Sequence, residues 1–117
     1  MSTTKGLARA RERYALDLRE AVKRATALLS EMPEVRRVSL FGSYARGKRD
    51  LFTDLDLLVV MDTTLGVADR LRHLYGLLAL PVDYDLMCYT PAEWVQIQHQ
   101  PFWRHARRNE VVLHERG

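Results

Sequence analysis

Three groups of residues in this chain have the types and spacing to do chemistry. Asp54 and Asp56 flank one leucine at the head of the apolar run Leu55–Met61 (LDLLVVM). In an extended strand, residues i and i+2 share a face about 6–7 Å apart. Two carboxylates there repel each other and lose hydration, a cost that calls for compensation. A divalent cation supplies it: Mg²⁺ takes hard oxygen ligands and keeps room for substrate phosphates. A second Asp-x-Asp, Asp83 and Asp85, lies in Val82-Asp83-Tyr84-Asp85-Leu86. If the two strands are neighbours, three carboxylates can hold two metal ions about 3.5–4 Å apart, the arrangement of an in-line phosphoryl displacement. Alternation puts Asp83 and Asp85 on one face and does not choose between them. The one left over would pair with Arg36 or Arg37. The third group is Gly42-Ser43, at the end of an apolar strand and the start of a short helical turn. Backbone N–H groups at such a start favour anions, glycine allows close approach, and the serine hydroxyl adds a donor. Each group alone has a plain reading: a turn, or wet aspartates at a strand end.

The chain that must position these groups is short. Its 117 residues make one domain by length. With 47% hydrophobic and 28% charged residues it is neither disordered nor dependent on staples. The single cysteine, Cys88, excludes an internal disulfide and a cysteine-built zinc site. The apolar runs near 55–61 and 74–82 fall short of the ~20 residues a membrane span needs. No apolar stretch follows Met1-Ser2-Thr3-Thr4-Lys5, so no secretory signal is visible and the cytoplasm is the expected location. The net charge of +3 is uneven: residues 1–50 carry 12 basic and 6 acidic side chains, and residues 51–117 carry 6 and 9. A solvated Arg-rich helix accounts for this more simply than a binding patch. Basic residues are not interleaved with aromatics as in single-strand binders, so nucleic acid is not an expected partner.

Hydrophobic periodicity supplies the elements. Leu7, Tyr14, Leu18, Val22, Ala25, Leu29 and Met32 recur at three- and four-residue steps, predicting an amphipathic helix over about Thr4–Met32. Thr3 or Thr4 would cap it and Pro33 would end it. This helix could cover the sheet or another subunit; the sheet is the expected place. Strands are predicted at Val35–Phe41, Leu55–Met61, Val82–Tyr89 and Val111–Glu115. The second is apolar enough to be central. Between them come a short helix over Ser43–Arg46, a helix over Leu65–Leu80, and one from Pro91 to about His99. The last of these opens on the capping signal Thr90-Pro91-Ala92-Glu93. A further helix is predicted from Pro101 to about Arg108. The α-β-α-β-α-β-α-α-β order implies an α/β (α+β) domain, a mixed sheet of about four strands with helices packed against it. Residues 1–117 divide into an N-terminal helix (1–34), a core (35–89) and C-terminal helices with the last strand (90–117).

Taken together the groups read Gly-Ser-x10-Asp-x-Asp, with Leu40-Phe41 before, Ala45-Arg46-Gly47 inside and Leu57-Leu58-Val59-Val60 after. This resembles the signature of the DNA polymerase β-like nucleotidyltransferases, and most of all their minimal, MNT-type branch. The resemblance covers about residues 35–95, with a weaker echo in the tail. It implies the nucleotidyltransferase fold and a division of labour. Gly42 and Ser43 would bind the nucleotide's triphosphate tail, with Arg46 in reach of phosphate oxygens and Lys48 and Arg49 as weaker candidates. Asp54 and Asp56 would hold the metal. The family's third carboxylate lies five residues before the threonine of the Thr-Pro pair, which points to Asp85. The implied cofactor is Mg²⁺, two ions, with ATP as substrate. The implied reaction is attack by an acceptor hydroxyl on the α-phosphorus of the nucleoside triphosphate, with pyrophosphate leaving.

No second domain is seen to bind an acceptor. Minimal relatives often work with a helical HEPN partner as toxin–antitoxin pairs, in which the nucleotidyltransferase is the antitoxin and adenylylates (AMPylates) a tyrosine of the toxin. By that analogy a HEPN-type protein is the expected partner, with a homo-oligomer also open. Two alternatives stand beside it. One is a non-catalytic module that neutralises a partner by contact. The other is a catalytic subunit acting on a small molecule or RNA.

Other residues read as structural. Arg108-x5-His114 matches the loose spacing of HEPN ribonucleases, but those residues share a helix face and Val111–Leu113 reads as strand. His73, His99, His105 and His114 lack metal-ligand spacing. Trp94, Phe102 and Trp103 read as packing groups rather than base-stacking ones; exposure would instead mark a partner surface. Cys88 reads as inert core.

Overall fold

In the computed structural model, residues 3–116 are described. The leader reading at Met1-Ser2 lies outside them. Helix α1 spans Thr3–Ser30, and β1 spans Val35–Phe41. A single helical turn, α2, follows at Gly42–Ala45, and β2 spans Leu55–Met61. Helix α3 covers Val67–Leu78, β3 Tyr84–Tyr89, α4 Pro91–Ile97 and α5 Pro101–Ala106. A 3₁₀ turn at Arg107–Asn109 leads to β4, Val111–Glu115. The strands form one sheet in the order β3-β2-β1-β4. β1 is antiparallel to β2 and β4, and β2 is parallel to β3. The architecture is the mixed α/β sheet expected.

Several element ends differ from expectation, those of α1, β3 and α3 for local reasons. α1 stops at Ser30, not Met32. Pro33 bars the α conformation at Met32, whose N–H instead reaches Leu29 O at 3.2 Å in a tightened turn. Thr4 lies inside α1, and the Thr3 side chain is outside the described residues. β3 begins at Tyr84, leaving Val82 and Asp83 out of the strand. Its partner β2 starts at Leu55, opposite Tyr84, so no ladder remains for the two residues before it. α3 is shorter at both ends, with Gly66 as N-cap. Ala79 turns left-handed (φ 42°), so its N–H closes on Tyr75 O.

The alternation of β2 sorts the core into two layers. Leu55, Leu57, Val59 and Met61 face α1 and α3, where Leu18, Ala21, Ala25, Leu29, Leu74 and Leu78 are buried. Leu58 and Val60 face α4 and α5, against Phe41, Trp94 and Trp103. The second half of α1 therefore lies on the sheet. The first half does not: residues 4–13 are all exposed, and Leu7, expected on the buried stripe, is 51% accessible. No helix among the described residues is long and apolar enough to cross a membrane.

Polar ties join the layers. Thr90 and Glu93 form the expected capping box of α4. Glu93 also pairs with Arg70 of α3 at 2.7 Å, and that guanidinium is buried. The Tyr75 hydroxyl accepts from the Leu86 N–H on the outer side of β3, blunting that edge (3.1 Å). On the other side of the sheet, Glu110 accepts from Ser39 (2.6 Å) and Arg37 (2.8 Å). Arg37 also meets Glu115, and Arg36 pairs with Asp62. The expected alternative of Asp83 or Asp85 pairing with Arg36 or Arg37 is thereby overturned: β2 lies between β3 and β1, and both arginines have other acids.

Candidate active site

β2 carries the site at its first residues, just past the end of the α4–α5 layer. Asp56 stands on the same face as Leu58 and Val60, where the aromatic cover has ended. Its register partners are Phe41 in β1 and Asp85 in β3. Parallel pairing thus places Asp85 directly beside Asp56. Asp83 lies before the strand, where its carbonyl accepts from Leu55 N–H (3.1 Å). Parity does not distinguish the two positions; register puts Asp85, and not Asp83, beside Asp56.

Gly42 follows Phe41 and turns the chain out of β1 with φ of +76°. The conformation suits glycine, and the space requires it. A Cβ built there would overlap a carboxylate oxygen of Asp56 and stand 3.1 Å from its Cγ. The strand-to-turn corner and the Asp56 carboxylate are therefore in direct apposition. Ser43 is half-buried beside it, and Arg46 is exposed at the end of the turn.

Electrostatics mark the same spot. The Asp56 carboxyl is held above its ordinary range, first by burial, then by the charges of Asp85 and Asp54; Arg46 opposes the rise. Among the described residues none of the four aspartates 54, 56, 83 and 85 has a salt-bridge partner. Crowded, uncompensated carboxylate oxygen suits a hard divalent cation. The fit is one of donor type and charge. As placed, no three His, Cys, Asp or Glu side chains among the described residues are gathered closely enough to enclose an ion.

The approach to Asp54 is built by residues that motif spacing did not single out. Asp50 accepts from Phe52 N–H (2.9 Å) and from the Thr53 hydroxyl (3.1 Å), closing a tight turn. Thr53 is buried, and its carbonyl accepts from the Tyr14 hydroxyl of α1 at 2.8 Å. Tyr14 is raised in pKa by burial and by the charges of Asp54 and Asp83. Arg49, a weaker phosphate candidate, is committed elsewhere. It lies 3.5 Å over the Tyr44 ring and donates to the carbonyls of Tyr44 and Lys48. Lys48 is exposed.

A cavity of about 570 Å³ opens over Gly42, Arg46 and Asp56, and its other wall comes from α5 and the 3₁₀ turn. That volume is in the range of small-ligand sites. A larger, shallower hollow of about 820 Å³ lies at the opposite end of β2, around Asp62, His73 and Thr90, and holds none of the expected site residues.

Comparison with known proteins agrees with this architecture. The nucleotidyltransferase domain model matches residues 19–112. This chain belongs to the nucleotidyltransferase domain family. Solved structures show the same fold. A Sulfolobus solfataricus protein with a proposed nucleotidyltransferase assignment aligns over 94% of this chain and 87% of its own, at 20% identity and a TM-score of 0.55. A mutant of the toxin–antitoxin MntA-HpeT aligns over 84% of this chain and 73% of its own, at 18% identity and a TM-score of 0.51. No curated protein matches the chain. In this nucleotidyltransferase domain, Gly42, Ser43, Arg46, Asp54, Asp56 and Asp85 fall at one end of the sheet. Trp94 and Trp103 are buried as expected, while Phe102 is 58% exposed.

Proposed function

We propose that this nucleotidyltransferase moves a nucleoside monophosphate, AMP from ATP, onto an acceptor hydroxyl. The observation that carries the reading is the position of Asp56. It is flanked by Asp54 and Asp85, apposed to Gly42 and open to a cavity that Arg46 also lines. Gly42 and Ser43 receive the triphosphate tail, with Arg46 meeting its oxygens. Asp54, Asp56 and Asp85 hold Mg²⁺, which when bound neutralises phosphate charge. The acceptor oxygen forms a bond to the α-phosphorus, the bond from that phosphorus to the bridging oxygen breaks, and pyrophosphate leaves. Asp85, the most exposed of the three by its place on the edge strand, is suited to take the hydroxyl proton.

For the acceptor we infer a tyrosine of a HEPN-type toxin, with this chain as the antitoxin. The fold likeness to the MntA-HpeT toxin–antitoxin supports that reading by analogy. The test is a lysate of the native host with Mg²⁺ and ATP labelled on the α-phosphate. Wild type is compared with the Asp54→Asn, Asp56→Asn double variant. A labelled protein band seen only with wild type is expected. Label in RNA or a small molecule would keep the enzyme and remove the toxin as acceptor. Neutralisation of a toxin by the double variant as well as by wild type would show that contact alone suffices.

A further inference from the structure

The cavity over Asp56 has a second wall that the motif does not predict. Phe102 and His105 come from α5, Arg108 and Asn109 from the 3₁₀ turn, and all four face the space lined by Gly42, Arg46 and Asp56. Phe102 is 58% exposed although its neighbour Trp103 is almost fully buried. Trp103 is anchored on several sides. It meets Phe41 edge-on at 5.0 Å and Trp94 at 5.2 Å, and its Nε1 donates to the Tyr89 hydroxyl at 3.2 Å. Phe102 packs edge-on against that fixed indole at 5.1 Å. Its ring is thus backed by the buried indole and open towards the cavity.

The charges around the cavity are sorted in the same way. Arg107 is committed: it donates to Gln98 at 2.7 Å and reaches Glu110 at 3.4 Å. Arg108, the next residue, has no hydrogen-bond or ion-pair partner among the described residues, and neither do the Arg46 and His105 side chains. Two uncommitted guanidiniums, one on each wall, and an open aromatic ring match a ligand with an anionic tail and a flat π-face.

We propose that α5 and the 3₁₀ turn are the far wall of the nucleotide site. Phe102 stacks on the nucleobase, and Arg108 meets the phosphate tail from the side opposite Arg46. This rests on the nucleotide reading above and adds to it the residues that grip the base. It also gives Phe102 a role in place of the packing role its sequence context suggested.

The test is equilibrium binding of Mg²⁺ complexes of ATP, GTP, CTP, UTP and tripolyphosphate to wild type, Phe102→Ala and Arg108→Ala. Both side chains are exposed, and thermal melts of the variants check that they fold. Phe102→Ala is expected to weaken the tightest-binding nucleotide about 5- to 100-fold and leave tripolyphosphate unchanged. Arg108→Ala is expected to weaken both by about tenfold. If wild type binds nucleotide and Phe102→Ala binds it equally well, the stacking role is overturned. Loss of acceptor labelling by that variant with intact nucleotide binding would likewise overturn it and make Phe102 a partner contact. If Arg108→Ala leaves both ligands unaffected, its phosphate role falls. If wild type binds neither nucleotide nor tripolyphosphate, the nucleotide reading itself fails and this inference with it.

Discussion

The Asp56 carboxylate occupies the place where a side chain at Gly42 would begin. A Cβ there would overlap one carboxylate oxygen, and the backbone at φ +76° disfavours any L side chain. Gly42→Ala should therefore cost about 1–2 kcal/mol of stability from the backbone alone. Its larger effect should be on function, because Asp56 must move. Nucleotidyl transfer is expected to fall at least a hundredfold in a variant that still melts cooperatively. Calorimetry beside the α-phosphate labelling assay separates the two effects.

Asp85 and Asp83 offer a sharper comparison. Asp85 is the register partner of Asp56, while Asp83 precedes the strand. Asp85→Asn should abolish labelling, and Asp83→Asn should leave it within a few-fold of wild type. Equal losses in both would mean that the strand register does not select the third carboxylate.

How much of this was legible beforehand follows from the kind of signal each residue carries. Gly42, Asp54 and Asp56 lie within one short stretch of chain, and their types and spacing survive in the sequence as a pattern. The strand at 55–61 was legible because its run is apolar at every position but Asp56. The resemblance pointed to Asp85 through its distance from Thr90-Pro91, but its place beside Asp56 depends on which strand pairs with β2 and in what register, which no period-2 pattern encodes. Tyr14, Thr53, Phe102 and Arg108 were missed for a similar reason. Each reaches the site through tertiary packing, and an aromatic on a helix looks the same in sequence whether it faces the core or a cleft. Leu7 misled because the periodicity of α1 continues past the edge of the sheet it covers.

Glu110 should make stability depend on acidity. Burial pushes its carboxyl up, but hydrogen bonds from Ser39 and Arg37, aided by the charges of Arg37 and Arg107, outweigh this and hold it below the ordinary 4.5. A depressed folded-state value means the contribution is complete above that ordinary value and is lost as pH falls through the lower one. Denaturant midpoints measured from pH 7 to 3 should therefore fall steeply below about pH 4.5 in wild type and less steeply in Glu110→Gln. At pH 7 the variant should be about 1.5–3 kcal/mol less stable.

Cys88 should be silent in the native protein. It is buried, and that burial, only partly offset by the Arg70 charge, pushes its thiol up to about 11. The thiolate is the reactive form, so an aromatic disulfide reagent at pH 8 should label it no faster than the protein unfolds. Immediate labelling without denaturant would show that the α3 side of β3 opens readily.

The Arg70–Glu93 pair works as a hasp across the end of β3. Arg70 belongs to the helix on one face of the sheet, and Glu93 caps the helix on the other. Neither helix can lift away without breaking a contact that the other also needs. If α3 departed, Glu93 would keep its bond to the Thr90 N–H but lose the guanidinium that fixes its carboxylate. The two coverings of the sheet should consequently open as one cooperative unit, with matched amide exchange in the half of α3 that holds Arg70 and the body of α4.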